Sequence, residues 1–259
     1  MEALRLACFV ATLTATSAEP GSGLAHNENF VVSAPSQDLA EEILQKAEGL
    51  RKQIALDWLG EELPPSVGPA SIHVTISDAS DRGHTWPIDD PNRRYHLIWL
   101  TTTREKALTT ALAHEIVHAV LATEFSGGIA TWAEEGAACL QDDPDRLARR
   151  RRTIDWMAKT GNWSDLQRVL EAQAIVATDH ATYSVAASLT QFLLERGDKA
   201  KFLSFCRQGK SAGWDAALSR CYGIRSVREL QAAWQAWTTA AARKSPVSSA
   251  TAPQPTTGS

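Results

Sequence analysis

The chain has 259 residues, of which 44% are hydrophobic and 22% are charged. A chain of this length and composition can bury a full core without disulfides or partner chains, so we expect one main domain that works as a monomer. The formal net charge of −4 and the pI of about 6.0 leave no basic surface to attract nucleic acid or anionic membranes, and both are excluded as partners.

The N-terminal segment resembles a secretion signal. Met1 to Arg5 is followed by an apolar stretch from Leu6 to about Ala15, and then by Thr16-Ser17-Ala18. This order predicts a signal peptide over residues 1–18, with a disordered cytosolic N-terminus as the alternative. No later segment has the roughly 18 or more uninterrupted apolar residues of a membrane span. We therefore expect a secreted or periplasmic protein without stable membrane insertion.

The next part of the chain predicts one helix and a small sheet. Residues 19–35 are rich in Gly, Ser, Pro and Asn and are predicted to be a flexible lead-in, with Val31-Val32 as a candidate short strand. From Gln37 to Trp58 apolar residues recur every three or four positions, which is typical of an amphipathic helix. Ser71 to Ser77 and Tyr95 to Thr101 predict two strands joined by a loop. Within that loop, Asp89-Asp90-Pro91-Asn92 is interpreted as a turn in preference to a calcium site.

The remainder is predicted to be mainly helical. One helix is expected from Lys106 to Glu124, a second from about Trp132 to Leu140, and further helices as far as Ala242. Residues 243–259 lack periodicity and predict a disordered tail. The main domain therefore covers residues 36–242. Its fold class is α+β, with a small N-terminal β-sheet packed on a mainly α-helical domain.

A histidine-glutamate motif lies on the helix predicted over residues 106–124. His114-Glu115-Ile116-Val117-His118 places two imidazoles four residues apart, on one helix face, where both can bind a single zinc ion. Glu115 lies beside that face and can reach a water at the metal without being a ligand, as a general base must. The alternative is a chance match, which arises in about one percent or less of sequences of this length.

A second acidic motif follows in Trp132-Ala133-Glu134-Glu135-Gly136, where sixteen residues separate His118 from Glu135. A catalytic zinc site uses three protein ligands and leaves one position open, so a glutamate here would complete the set. Glu134 and Glu135 point about 100° apart on a helix. Spacing alone leaves both open as the third ligand.

The two motifs together, HExxH and a downstream Trp-x-x-Glu-Gly, resemble the gluzincin zinc metallopeptidases, especially the peptidase-MA-like proteins. The resemblance extends over roughly Ile72 to Trp237 and is specific only around residues 114–137. It implies a zincin-type catalytic domain that hydrolyses a peptide or protein substrate. It also implies that Zn²⁺ is bound by His114, His118 and Glu135, that Glu115 is the general base, and that Glu134 supports a ligand.

The same resemblance suggests two further roles. Gluzincins often place a Tyr or His on a later helix to stabilise the oxyanion, and Tyr183 is the first candidate here, with His180 as the second. The alternatives are a packed core tyrosine and a surface histidine. Related enzymes also bind extended peptide along an edge strand before the metal helix, which assigns that role to Tyr95–Thr101.

Three functions remain open. The first is an active zinc endopeptidase. The second is an aminopeptidase, which is disfavoured because no Gly-x-Met-Glu-Asn-like segment precedes the HExxH motif. The third is a catalytically inactive zincin-fold binding module. Glu115 argues against that third function, because a structural zinc site has no use for a base beside its first ligand.

Other residues have ordinary interpretations. Cys206 and Cys221 would form a disulfide in an oxidising compartment, and Cys139 has no expected chemical role. Arg146 and Arg149 to Arg152 are interpreted as a solvated helix face, since Asp142, Asp143 and Asp145 flank them. Several tryptophans fit helix packing, namely Trp58, Trp156, Trp214, Trp234 and Trp237.

Overall fold

The computed structural model describes residues 22–65, 69–90, 93–125 and 128–244. Over these ranges a five-stranded N-terminal sheet is followed by a mainly helical part, which confirms the predicted α+β class. The predicted signal peptide, residues 1–18, lies outside the described residues. The same holds for the predicted tail from residue 245 onwards, whereas residues 243 and 244 still belong to the last helix.

The strands form one mixed sheet in the order β1-β2-β3-β5-β4. The central strands β2, β3 and β5 are parallel neighbours, and the two outer strands pair antiparallel with them. Parallel neighbours require crossover connections, and helix α1 (Gln37–Leu59) supplies the first of them. The strands are β1 (Gly23–His26), β2 (Phe30–Ala34), β3 (Ala70–Ile76), β4 (Arg82–Asp90) and β5 (Arg93–Thr102).

The first two strands lie in the segment, residues 19–35, that was predicted to be a flexible lead-in. Residues 23–26 and 30–34 pair with each other and bury Ala25, Phe30, Val32 and Ala34 against the rest of the core. Each strand has only four or five residues, so its alternation is too short to stand out among the surrounding Gly, Ser and Asn. The prediction was therefore wrong over residues 23–34, apart from the candidate strand at Val31-Val32.

Strand β4 occupies the segment that the sequence predicted to be a loop, and it lies at the edge of the sheet. It pairs with β5 from Arg82 opposite Thr101 to Asp90 opposite Arg93, so β5 lies between β3 and β4. The edge strand is therefore β4, and the assignment of that position to Tyr95–Thr101 was wrong. Pro87 is tolerated in β4 because an edge strand has a side without a partner. Of the turn predicted at residues 89–92, residues 91 and 92 lie outside the described residues.

Ten helices lie within the described ranges, and the first and third pack against each other and on the sheet. The single helix predicted over residues 106–124 is in fact two, because the backbone leaves helical geometry at Thr109 (φ −137°, ψ −108°). The helices are α1 (Gln37–Leu59), α2 (Arg104–Ala107), α3 (Thr110–Glu124), α4 (Thr131–Cys139), α5 (Pro144–Thr160), α6 (Leu166–Glu171), α7 (His180–Leu194), α8 (Lys199–Ala212), α9 (Trp214–Tyr222) and α10 (Val227–Lys244).

Helix α4 is anchored by an aromatic group. Trp132 is fully buried, and its ring centroid lies 5.9 Å from that of Phe202, 6.3 Å from Phe205 and 5.8 Å from Trp214. Burying an aromatic side chain of this size contributes roughly 3 kcal/mol or more to stability. This packing fixes the start of α4, from which Glu134 and Glu135 project.

The cysteines of the described residues are all free. The disulfide expected between Cys206 and Cys221 is therefore not formed. Cys206 is buried in α8, and the Cys221 Sγ of α9 accepts a hydrogen bond of 3.4 Å from Gln208. Burial raises the pKa of the Cys206 thiol. Within the same described ranges, no helix is both long and apolar enough to cross a membrane.

Candidate metal centre

Two helices bring three candidate ligands together at one point. His114 and His118 project from the same face of α3, and Glu135 projects from α4. The Nε2 atoms of the two histidines lie 3.7 Å and 3.8 Å from the same Oε2 atom of Glu135. All three donor atoms lie within 4.8 Å of one another. Donor atoms around a tetrahedral zinc ion lie roughly 3.3 Å apart, so these three atoms are close enough together to be candidate ligands of a single metal ion.

A carboxylate lies behind each histidine. The Nδ1 atom of His114 lies 3.3 Å from Oδ1 of Asp142, and the Nδ1 atom of His118 lies 3.2 Å from Oε1 of Glu134. A carboxylate in this position selects the tautomer that leaves Nε2 free for a metal. Glu135 therefore faces the Nε2 atoms of both histidines, whereas Glu134 faces the Nδ1 atom of His118. The contact of Asp142 with His114 was missed in the sequence, where Asp142 was interpreted only as one of the acidic residues that flank the arginine run.

The charges around the histidines favour a cation. Burial by itself lowers the pKa of His114, but Asp142, Glu135 and Glu115 outweigh it and raise that pKa to about 10. Burial also lowers the pKa of His118, but Glu134, Glu135 and Glu115 outweigh it and raise that pKa. Burial raises the pKa of Glu135, and the two histidines reverse this and lower it. The donor types, their spacing and this negative field all fit a divalent zinc ion.

Glu115 lies between the metal helix and the edge strand of the sheet. It is only 4% exposed, and the Thr85 hydroxyl of β4 donates a hydrogen bond of 2.6 Å to its Oε2. A Cβ atom at Gly83 would lie 2.2 Å from Oε1 of Glu115, which no real side chain could do without displacing the carboxylate. Gly83 therefore makes room for Glu115, and Thr85 fixes its orientation.

A close approach of two helices brings Tyr183 to the site. A Cβ atom at Gly136 of α4 would lie 2.2 Å from Oγ1 of Thr190 and 2.6 Å from the carbonyl oxygen of Ala186, both on α7. Glycine at this position lets α7 pack directly on α4. As a result, the hydroxyl group of Tyr183 donates a hydrogen bond of 3.4 Å to Oε1 of Glu135. The glycine of the Trp-x-x-Glu-Gly motif thus has a packing role.

The two candidate oxyanion donors lie one turn apart on α7. Burial, followed by the charge of Glu135, raises the pKa of Tyr183, so its phenol stays protonated and can donate a hydrogen bond at neutral pH. The guanidinium of Arg150 lies 5.4 Å from the centroid of the Tyr183 ring. His180 is exposed at the first position of α7 and lines the same cleft. Both residues are near the site, and Tyr183 is the one that contacts a candidate ligand.

The centre opens into a cleft of about 1060 Å³. One wall is β4, the other is α5, and His114, Glu115 and Tyr183 lie between them. Trp156 of α5 lines this cleft and is 52% exposed, so its predicted role in helix packing was wrong. A cleft of this size accommodates several residues of an extended chain.

A second group of possible ligands among the described residues is His114, Cys139 and Asp142. It lies on the opposite side of the His114 ring, where Nδ1 faces Asp142. Burial raises the pKa of the Cys139 thiol well above its usual range, and Arg150 already pairs with Asp142 at 2.6 Å. This group is thus charge-compensated without a metal, and it is not the better candidate.

Comparison of the sequence with models of known protein families and with curated proteins finds no match.

Proposed function

We propose that the chain is a zinc-dependent hydrolase whose metal is bound by His114, His118 and Glu135. The observation that carries this proposal is the convergence of two imidazole nitrogens and one carboxylate oxygen within 4.8 Å, with Glu115 beside them. The carboxylates behind both histidines support it, because catalytic zinc sites commonly orient their ligands in this way. The buried glutamate next to the first ligand favours catalysis over a structural metal site.

Within that class, we infer a zinc metallopeptidase of the gluzincin type, acting as an endopeptidase. The spacing of HExxH and Trp-x-x-Glu-Gly supports the family. The edge strand β4 supports a peptide substrate, because an extended peptide can pair with the free side of such a strand. With nine residues, β4 is long enough to hold peptide on both sides of a scissile bond. The proposed location is secreted or periplasmic, on the evidence of residues 1–18 alone.

The side chains suggest how hydrolysis would proceed. Zinc, when bound here, would supply a Lewis acid that polarises the scissile carbonyl and acidifies a water molecule. Glu115 accepts the proton of that water and later delivers it to the leaving amine. The Tyr183 hydroxyl donates a hydrogen bond to the negative charge that develops on the carbonyl oxygen as the water attacks the carbonyl carbon. Thr85 keeps the Glu115 carboxylate in place during both proton transfers.

The test compares zinc content and cleavage of a peptide library for the wild type and for Glu115→Gln. We expect the variant to retain zinc and to lose at least about 10²-fold in kcat, because it lacks a base. Glu124→Gln is the matched control, since Glu124 lies on the same helix but is exposed and pairs with Arg207. That control should keep both zinc and activity.

Two outcomes would reject the proposal. Cleavage that survives Glu115→Gln would refute the mechanism, and zinc bound without cleavage of any peptide would favour the inactive binding module. Ligand identity has its own test, in which Glu135→Ala should lose zinc and Glu134→Ala should retain most of it. The reverse result would make Glu134 the ligand.

A further inference from the structure

The cleft beside the metal centre is positively charged, although the whole chain has a net charge of −4. Among the residues whose side chains the structure describes, two carboxylates line it, Asp81 and Glu115. Five arginines line the same cleft, namely Arg82, Arg146, Arg149, Arg150 and Arg152. Charge of one sign inside a cleft attracts ligands of the opposite sign more strongly than the same charge on an open surface.

Two of the arginines are neutralised within the fold. Arg146 lies 2.9 Å from the Asp81 carboxylate, and Arg150 lies 2.6 Å from that of Asp142. Their side chains are 23% and 16% exposed, so they are largely withdrawn from solvent. These two arginines hold α5 against the metal centre.

Arg149 and Arg152 differ from these two. Both are exposed, and neither forms an ion pair with a carboxylate in the part of the chain that the structure describes. They lie on the same face of α5 as Trp156, at helical spacings of three and seven residues. Arg82 lies on the opposite wall, where its Nε donates a hydrogen bond of 2.9 Å to the Ser80 hydroxyl. Among the described side chains, the cleft therefore offers guanidinium groups without a carboxylate partner on both walls.

We propose that Arg149 and Arg152 bind a carboxylate of the substrate, so that the enzyme selects acidic peptides. This inference rests on the proposed peptidase function. Guanidinium groups bind carboxylates through paired, charge-assisted hydrogen bonds, and Trp156 beside them offers an apolar surface to the aliphatic part of an acidic residue. The carboxylate could belong to an Asp or Glu side chain or to the C-terminus of a peptide.

The test uses internally quenched fluorogenic peptides with amidated C-termini, which differ only in having Glu or Gln around the scissile bond. We expect a higher kcat/KM for the Glu peptide, by about fivefold for each arginine, as an exposed ion pair of about 1 kcal/mol implies. The ratio of the two kcat/KM values should fall toward one in R149Q/R152Q and at high salt. R228Q is the control, because Arg228 is exposed on α10 outside the cleft, and it should keep the wild-type ratio.

The source of the carboxylate is resolved by a third peptide, with Gln at the same positions and a free C-terminus. A preference for this peptide over its amide would identify the C-terminal carboxylate as the group that is bound. Equal cleavage of all three peptides by the wild type would overturn the inference and leave the proposed function intact.

If no peptide is cleaved, the proposed function fails and fluorescence anisotropy decides the inference separately. Weaker binding of the labelled Glu peptide to R149Q/R152Q than to the wild type would support the carboxylate site. Equal affinity for the two proteins would overturn it.

Discussion

Asp142→Asn removes a charge from the side chain that lies behind His114. The Asp142 side chain is only 1% exposed, and Arg150 contacts its Oδ2 atom at 2.6 Å. Burial raises the pKa of this carboxyl, but His114 and Arg150 outweigh burial and lower it to about 2. Because the native pKa lies below the usual value near 4, the ionised carboxylate stabilises the fold above about pH 4, and this contribution is lost as the pH falls toward 2.

The expected loss of stability follows from the lowered pKa of Asp142 and from the loss of the ion-pair partner of Arg150. A native pKa of about 2 corresponds to about 2 kcal/mol of stability at neutral pH. Asparagine also leaves Arg150 partly buried without its partner, so the total loss should be about 2 to 4 kcal/mol. Zinc affinity should fall about 10- to 100-fold, because His114 loses the group that orients it.

Urea denaturation of the metal-free protein at pH 7 and at about pH 2 measures the stability, and competition with a chelator measures the zinc affinity. The difference in unfolding free energy between wild type and variant should be largest at pH 7. Asp145→Asn is the control, since Asp145 is exposed in the first turn of the same helix, and it should change stability by less than about 0.5 kcal/mol. Unchanged zinc affinity in Asp142→Asn would refute the idea that Asp142 orients His114.

Two more substitutions test the surroundings of the site. Gly83→Ala places a Cβ atom 2.2 Å from Oε1 of Glu115, so kcat should fall at least about tenfold while zinc is retained. Gly49→Ala is the control, because no atom lies within 4 Å of the added Cβ. An unchanged kcat in Gly83→Ala would contradict the role given to Gly83. Tyr183→Phe removes the proposed oxyanion donor, and steady-state kinetics should show a fall of about 10²- to 10³-fold in kcat with little change in KM. Tyr222→Phe is the control, because Tyr222 lies outside the cleft, and it should leave kcat unaltered. A normal kcat in Tyr183→Phe would shift the role of oxyanion donor to His180.

Part of the candidate site could be predicted because it depends on local geometry. The spacing of His114 and His118 places both on one face of any helix, so the pair is evident before the fold is known. The α+β class could be predicted for the same reason, since the apolar periods of α1, β3 and β5 lie within short windows of sequence. Glu135 could be predicted only in part. Spacing alone left Glu134 and Glu135 open as the third ligand, and the family resemblance selected Glu135.

Other features depend on contacts between distant segments, which local patterns do not encode. The sequence of β4 is mostly polar and by itself predicts a loop. The segment is a strand because its backbone forms hydrogen bonds with β5. Asp142 lies behind His114 only because α4 ends beside α3.

The sequence by itself determined which residue types could bind zinc and which helix face holds the two histidines. The tertiary structure decided which carboxylate faces which nitrogen, that Gly136 lets Tyr183 approach Glu135, and that Arg149 and Arg152 face a cleft while Arg146 and Arg150 are paired. The physical reason is that helical spacing is set by neighbouring residues, whereas charge pairing and close packing require groups that are far apart in the chain.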